Sequence, residues 1–300
     1  MPVISSTTIP ARPTAVVVGG GTMGAGITHS LLVSGAVVHL AEENAVAAEA
    51  ALIRVRASLG RQAAGDSRLL TECGDRLTAA VGLPAISGVD IVIEAIPEYV
   101  ELKRDVVAAA QARYPDVLVA TNTSSLPIDR IADAMRDPGR LVGMHFFNPV
   151  PSSQLIEIVV GLRTSEQAIG QARAWADFIG KTSIVVRDSP GFATSRLGLA
   201  IGLEAIRMVS EGVASVPDID LGMTLGYKFP VGPLELTDRV GLDVRLAIAT
   251  HLSSTLGERF QAPDLLRQMV AEGKLGRKSG EGFYLWGQDG RKRPPAAEPV

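Results

Sequence analysis

Two residues near the middle of the chain have the types and spacing for acid–base chemistry. His145 and Glu157 lie within residues 141–160, LVGMHFFNPVPSSQLIEIVV. The pattern predicts two apolar strands separated by a stiff loop carrying Pro149, Pro151, Ser152 and Ser153. Each strand holds one polar residue. A carboxylate inside Leu-Ile-Glu-Ile-Val-Val costs free energy unless it is paired, and the nearest partner is the histidine of the neighbouring strand. A histidine held by a carboxylate is a minimal general acid/base unit. The same pair could instead be a buried ion pair that serves packing alone.

What such a unit would act on is suggested upstream. Residues 14–18 form a short β-branched run that stops at Gly19, and Gly19, Gly21 and Gly24 then give G-x-G-x-x-G, with Thr22 and Met23 between the last two. Residues 27–33 read as the helix that follows. Glycines between a strand and a helix let the backbone approach a pyrophosphate seated on the helix N-terminus. A second strand, residues 36–41, ends at Glu42, 23 residues after Gly19. That spacing suits a carboxylate on the adenine ribose and disfavours a 2′-phosphate, so NAD is expected rather than NADP. Otherwise Glu42 and Glu43 simply cap the next helix. His39 reads as a core or edge histidine, and Arg54, Arg56 and Arg61 as a solvated face of the helix at 49–60.

The remaining elements must position these groups. Residues 89–95 and 117–120 read as buried strands. The first leads into EAIPEYVELKRD, whose Glu98, Glu101, Lys103, Arg104 and Asp105 read as an exposed charged helix face. The second leads into Thr121-Asn122-Thr123-Ser124-Ser125, a turn that could also offer hydroxyls and amides to a ligand. Residues 126–135 and 167–179 predict helices, 181–186 a strand, and 65–88 nothing regular. The pattern breaks at Asp188-Ser189-Pro190-Gly191-Phe192. We therefore expect an α/β domain with a mostly parallel sheet over residues 1–187 and an all-α domain over 188–300. The helix at 193–211 is apolar on most sides, with Gly198 and Gly202 one turn apart. Such a helix is usually buried all round, which in so small a domain favours a homodimer. Residues 1–13 and the Pro294-Pro295 end read as tails.

Bulk properties exclude several classes. The chain has 300 residues, 46% apolar, and a formal net charge of −3, which disfavours nucleic acid or an anionic membrane as partner. Neither a secretory signal nor an apolar run of bilayer length is found. Cys73 is the only cysteine, which excludes an intrachain disulfide and fits a reducing cytoplasm. The four histidines lack metal-ligand spacing, so no metal is expected.

The chain resembles the L-3-hydroxyacyl-CoA dehydrogenases, including the short bacterial 3-hydroxybutyryl-CoA dehydrogenases. The resemblance runs over about residues 14–286 and rests on VVVGGGTMGAGI, VIEAIPEYVELK, ATNTSSLPI, GMHFFNPVPSSQLIEIV, DSPGFATSRL, GPLELTDRVGLD and GRKSGEGFY. It implies a Rossmann-like N-terminal domain that binds NAD, NAD-linked interconversion of a (3S)-3-hydroxyacyl-CoA and its 3-ketoacyl-CoA, and dimerisation through the helical domain. It further implies His145 as general acid/base, Glu157 as its partner, and Ser124 in contact with substrate and cofactor. Gly19 to Gly24, Glu42, Glu98, Lys103, Asn148 and Lys278 would contact NAD, and Ser58 falls near a CoA-contacting position. Well-known members carry asparagine where this chain has Ser195, whose shorter hydroxyl could reach substrate or His145 through a water. Two rival expectations remain: a dehydrogenase of another 3-hydroxy acid, such as a sugar acid, or a non-catalytic NAD-binding protein.

Overall fold

The structure, a computed structural model, describes residues 8–63 and 66–293. Most of the expected N-terminal tail, Gly65, and the Pro294-Pro295 end lie outside the described residues. The chain divides into two units, Met1–Ser189 and Pro190–Val300.

The first unit is built on eight strands: β1 (Thr14–Val18), β2 (Val37–Glu42), β3 (Leu77–Val81), β4 (Ile91–Glu94), β5 (Leu118–Thr121), β6 (Leu141–Phe146), β7 (Leu155–Val160) and β8 (Thr182–Arg187). Its helices are α1 (Thr22–Val33), α2 (Ala45–Ala63), α3 (Ser67–Gly74), α4 (Val100–Arg113), α5 (Ile128–Ala132) and α6 (Glu166–Phe178). The strands form one sheet in the order β3-β2-β1-β4-β5-β6-β7-β8. β1 to β6 run parallel, and β7 turns back antiparallel to β6 with β8 alongside it. β1, β4, β5 and β6 are buried on both faces, which is why they read as unbroken apolar runs rather than alternating ones. The order reverses between β1 and β4. In open α/β sheets ligands bind outside the carboxyl ends of the strands at such a point.

Two sequence expectations are corrected here. The segment left irregular contains α3, capped by Asp66 on the N–H groups of Arg68 and Leu69, and the edge strand β3. β3 pairs only with β2 and leaves much of its Leu-Thr-Ala-Ala-Val surface exposed, so it lacks the apolar signature of a strand. The first helix begins at Thr22, five residues before the apolar pattern does, because Gly24 and Gly26 stand where other parts of the chain press against α1. A Cβ on Gly24 would lie 1.7 Å from the Gly19 carbonyl oxygen, and one on Gly26 would lie 2.8 Å from Val150 Cβ.

The second unit is helical: α7 (Thr194–Ser210), α8 (Val216–Leu221), α9 (Pro233–Val240), α10 (Leu242–Leu256) and α11 (Asp264–Ala271). α9 closes on α7 at Gly202, where a Cβ would be 3.2 Å from Thr237 Oγ1. α7 is not buried all round within this chain. Leu199, Leu203, Ala205 and Ile206 form its covered stripe, whereas Leu197 is 64% exposed. The C-terminal segment folds back through short bridges at Gly276, Glu281, Leu285, Trp286 and Lys292. Two buried carboxylates hold it. Asp238 accepts from the N–H groups of Phe283 and Tyr284 and from Trp286 Nε1, and Asp220 accepts from Tyr284 Oη.

Replacing Asp238 by Ala strands three donors in an apolar interior. Because a buried unsatisfied donor costs ~1–3 kcal/mol, urea unfolding of Asp238→Ala should show a loss of about 3 kcal/mol. A change below about 0.5 kcal/mol would contradict this anchoring role.

Candidate active site

β6 and β7 pair with His145 directly opposite Glu157. Opposed residues on paired strands project to the same face about 5 Å apart, so the side chains meet and His145 Nδ1 lies 2.7 Å from Glu157 Oε2. Glu157 is fully buried and His145 is 8% exposed. The Phe147 ring lies 4.6 Å from the imidazole, centroid to centroid. A carboxylate on Nδ1 sets the orientation of the ring and leaves Nε2 as the nitrogen that can exchange a proton with a ligand.

His145 stands at the carboxyl end of β6, beside the turns that follow β4 and β5. Asn122, in the turn after β5, accepts the N–H of Phe146 at 3.1 Å and so ties that turn to the histidine's neighbour. Glu98 gathers the rest of the turn. Its Oε1 accepts from Thr123 Oγ1 at 2.6 Å, Ser124 N at 2.8 Å and Ser125 N at 3.2 Å. Ser124 is exposed, with Oγ 3.3 Å from the same oxygen. Partial burial would raise the Glu98 pKa, but the Thr123 hydroxyl, the Lys103 ammonium and the Ser124 amide outweigh it and hold the carboxyl below its ordinary range.

Lys103 departs from the expected exposed face. It is fully buried, with Nζ 2.6 Å from Glu94 Oε1, 3.2 Å from the Ile96 carbonyl and 3.4 Å from Glu98 Oε2. The charge pattern of α4 resembles a solvated helix, but its first turn covers the end of β4, where Glu94 supplies the countercharge. The loop after β6 is held from behind by another lysine the sequence did not mark. Lys181 is buried, and its ammonium donates to the carbonyls of Val150 and Ser153. Asn148 stands exposed in that loop.

The glycine turn fits a dinucleotide. Gly19 has φ +91° and packs on the β4 end, where a Cβ would be 2.8 Å from the Ala95 carbonyl oxygen. A Cβ on Gly21 meets nothing within 4 Å. Gly21 also caps α1 without a side-chain bond, and the first turn carries no acid. The N–H groups of Thr22, Met23 and Gly24 have no intrahelical acceptors, and a helix N-terminus of this kind suits an anion. Glu42 ends β2, and its carboxylate accepts the Gly20 N–H. Arg54 donates to the Gly20 carbonyl at 3.1 Å, so it belongs to this loop rather than to a merely solvated face.

The remaining expected residues lie on other elements. Ser58, on α2, faces α1, with Oγ 2.8 Å from Nδ1 of the buried His29; burial pushes the His29 pKa down. Ser195 and Lys278 belong to the second unit. Ser195 lies in the first turn of α7, and Lys278 pairs with Asp243. No group of three or more His, Cys, Asp or Glu side chains that could hold a metal occurs among the described residues. No helix there is long and apolar enough to cross a membrane.

Comparison with known proteins identifies the family of the chain. Residues 14–189 match the model of the 3-hydroxyacyl-CoA dehydrogenase NAD binding domain, and residues 191–286 match that of the C-terminal domain of the same family. A probable 3-hydroxybutyryl-CoA dehydrogenase of Bacillus subtilis is 42% identical over 273 residues, covering 89% of this chain and 95% of the relative. The crystal structure of (S)-3-hydroxybutyryl-CoA dehydrogenase PaaH1 from Ralstonia eutropha superposes with a TM-score of 0.86 at 35% identity, covering 92% of this chain and all of that one. That of FadB2 from Mycobacterium tuberculosis gives 0.84 at 36% identity, again over 92% of this chain and 100% of that one.

Two glycine variants separate the turn's structural and ligand roles. Gly24→Ala forces backbone apart and should lower both stability, by about 1–3 kcal/mol, and NAD affinity. Gly21→Ala should leave stability within about 0.5 kcal/mol yet weaken NAD binding, as read by calorimetry. A second check uses pH. Because the Glu98 pKa is depressed on folding, its stabilisation is present above the ordinary carboxylate range and lost as pH falls through the folded value. Glu98→Gln should therefore reduce the stability difference between neutral and acid pH in urea titrations.

Proposed function

Because the chain belongs to the 3-hydroxyacyl-CoA dehydrogenase family, we propose that it oxidises the 3-hydroxyl of a (3S)-3-hydroxyacyl-CoA to the ketone, and catalyses the reverse, with NAD. The observation that carries this reading is His145 held by buried Glu157 at the carboxyl end of β6, in the same sheet as the glycine turn. Bound NAD supplies the hydride acceptor.

The chain's residues then have the following roles. His145 accepts the proton of the 3-hydroxyl at Nε2 as hydride leaves C3. Glu157 stabilises the imidazolium through Nδ1. Ser124 holds the substrate oxygen and borders the cofactor, and Ser195 supplies a second hydroxyl. Gly21, Thr22, Met23 and Gly24 would offer backbone N–H groups to the pyrophosphate, and Gly19, whose own N–H donates to the Ala41 carbonyl, would line the turn beside it. Glu42, one oxygen anchored on Gly20, takes the adenine ribose and repels a 2′-phosphate. Glu98, Lys103 and Asn148 border the nicotinamide end, with Lys103 acting through Glu98 because it is itself buried. Lys278 would meet the cofactor from the second unit, and Ser58 would meet CoA. The expected domain division at residues 187–188 lies within two residues of the break between the two units at Ser189 and Pro190, and the helical part dimerises. Exposed Leu197, Leu225 and Tyr227, at 64%, 66% and 75%, support that last point. A chain with one cysteine suits the cytoplasm.

The test is oxidation of NADH by purified protein with acetoacetyl-CoA and longer 3-ketoacyl-CoAs, run beside free ketoacids and NADPH. Turnover is expected with CoA esters and NADH. His145→Ala should lower kcat by about 10²–10⁴ and Glu157→Gln by a smaller factor. No oxidation with any CoA ester would overturn the reading, turnover of free acids alone would favour a hydroxy-acid dehydrogenase, and a preference for NADPH would remove the role of Glu42.

A further inference from the structure

Beneath the glycine turn lies a second buried carboxylate, which the proposed chemistry does not use. Glu94 closes β4 and is fully buried. Its Oε1 accepts from Lys103 Nζ at 2.6 Å and Ile96 N at 2.7 Å, and its Oε2 accepts from Thr121 Oγ1 at 2.6 Å. Lys103 returns a bond to the Ile96 carbonyl. The Ile96 residue is thus clamped through both its N–H and its C=O, on the segment where Gly19 packs against Ala95 and Ile96. On its other side Lys103 lies 3.4 Å from Glu98 Oε2, and Glu98 holds the turn of Thr123, Ser124 and Ser125.

The charges alternate: Glu94, Lys103, Glu98. Lys103 and Glu94 have no exposed side-chain surface, whereas Glu98 is 35% exposed. Glu94 and Lys103 offset each other, so the cluster of three keeps a net negative charge, which Glu98 presents although it too lies against Lys103. Without Glu94, Lys103 would cancel Glu98 and draw it away from Ser124 and Ser125. We propose that Glu94 is a positioning residue of the cofactor site, whose buried charge lets Glu98 favour the oxidised, cationic nicotinamide over the reduced, neutral one. This rests on the NAD reading but not on the identity of the hydroxy substrate.

The test measures dissociation constants of NAD+ and NADH for the full-length protein, with no acyl-CoA present. Glu94→Gln keeps the shape and the acceptor for Ile96 but removes one negative charge. Lys103→Met removes one positive charge, and the double variant restores the wild-type sum. The ratio Kd(NADH)/Kd(NAD+) should fall about three- to tenfold in Glu94→Gln, rise in Lys103→Met, and return to within about twofold of wild type in the double variant. A residue that only stabilised the fold would weaken both cofactors together, in step with the melting temperature. That result, or a double variant that fails to restore the ratio, would overturn the proposal. Should the single variants not fold, the double variant is read beside Glu98→Gln: a ratio within about twofold of wild type in the double variant together with an about three- to tenfold fall in Glu98→Gln supports the proposal, and a shift of about fivefold or more in the double variant, or no fall in Glu98→Gln, overturns it. Wild-type protein that bound neither dinucleotide would overturn the NAD reading and this inference together. Binding without turnover of CoA esters would overturn only the substrate assignment.

Discussion

A fully buried carboxylate in the middle of a strand is costly, and the register of one hairpin answers that cost. Glu157 can remain in the sheet because β7 runs antiparallel to β6 with His145 directly opposite. A slip of one residue would turn the imidazole to the other face, away from the carboxylate. Much of the surrounding structure maintains that register. Lys181 grips the connecting loop through two carbonyls. Val150 of that loop packs on Gly26, and Asn122 ties down the end of β6.

Backbone proximity imposes the second constraint. Gly19, Gly24 and the β4 end approach so closely that side chains are excluded. The first N–H groups of α1 follow directly, without a side-chain cap. One dense region therefore supplies both an anion-binding end and, through Glu94, Lys103 and Glu98, a charged wall beside the exposed Ser124. Its buried ions are tolerable because each is paired and hydrogen-bonded.

Much of this was legible in the chain. Polar residues stand out in apolar strands, so His145 and Glu157 could be found and paired by proximity. G-x-G-x-x-G after a β-branched run announced a nucleotide turn, and Glu42 followed at a meaningful spacing. Other features were not legible, for physical reasons. β3 is an edge strand of small residues, and α1 begins in glycines, so neither carries an apolar signature. Lys103 has the charge pattern of a surface helix, and only the closure of α4 over β4 makes it internal. Lys181 and His29 looked like ordinary polar positions until the elements opposite them were placed.

The sequence by itself determined which residues could carry the chemistry: a buried histidine and carboxylate in adjoining strands, a glycine turn without side chains, and hydroxyls at a strand end. These are local properties of residue type and spacing. Only the tertiary structure decided how Glu94, Lys103 and Glu98 share their charges. Their interaction depends on distances of a few ångströms between a strand end, a helix and a turn that sequence separation does not encode. The same holds for His145 and Glu157. Proximity in the chain suggested the pair, but the hydrogen bond through Nδ1, and the direction in which it leaves the ring available, came from strand register.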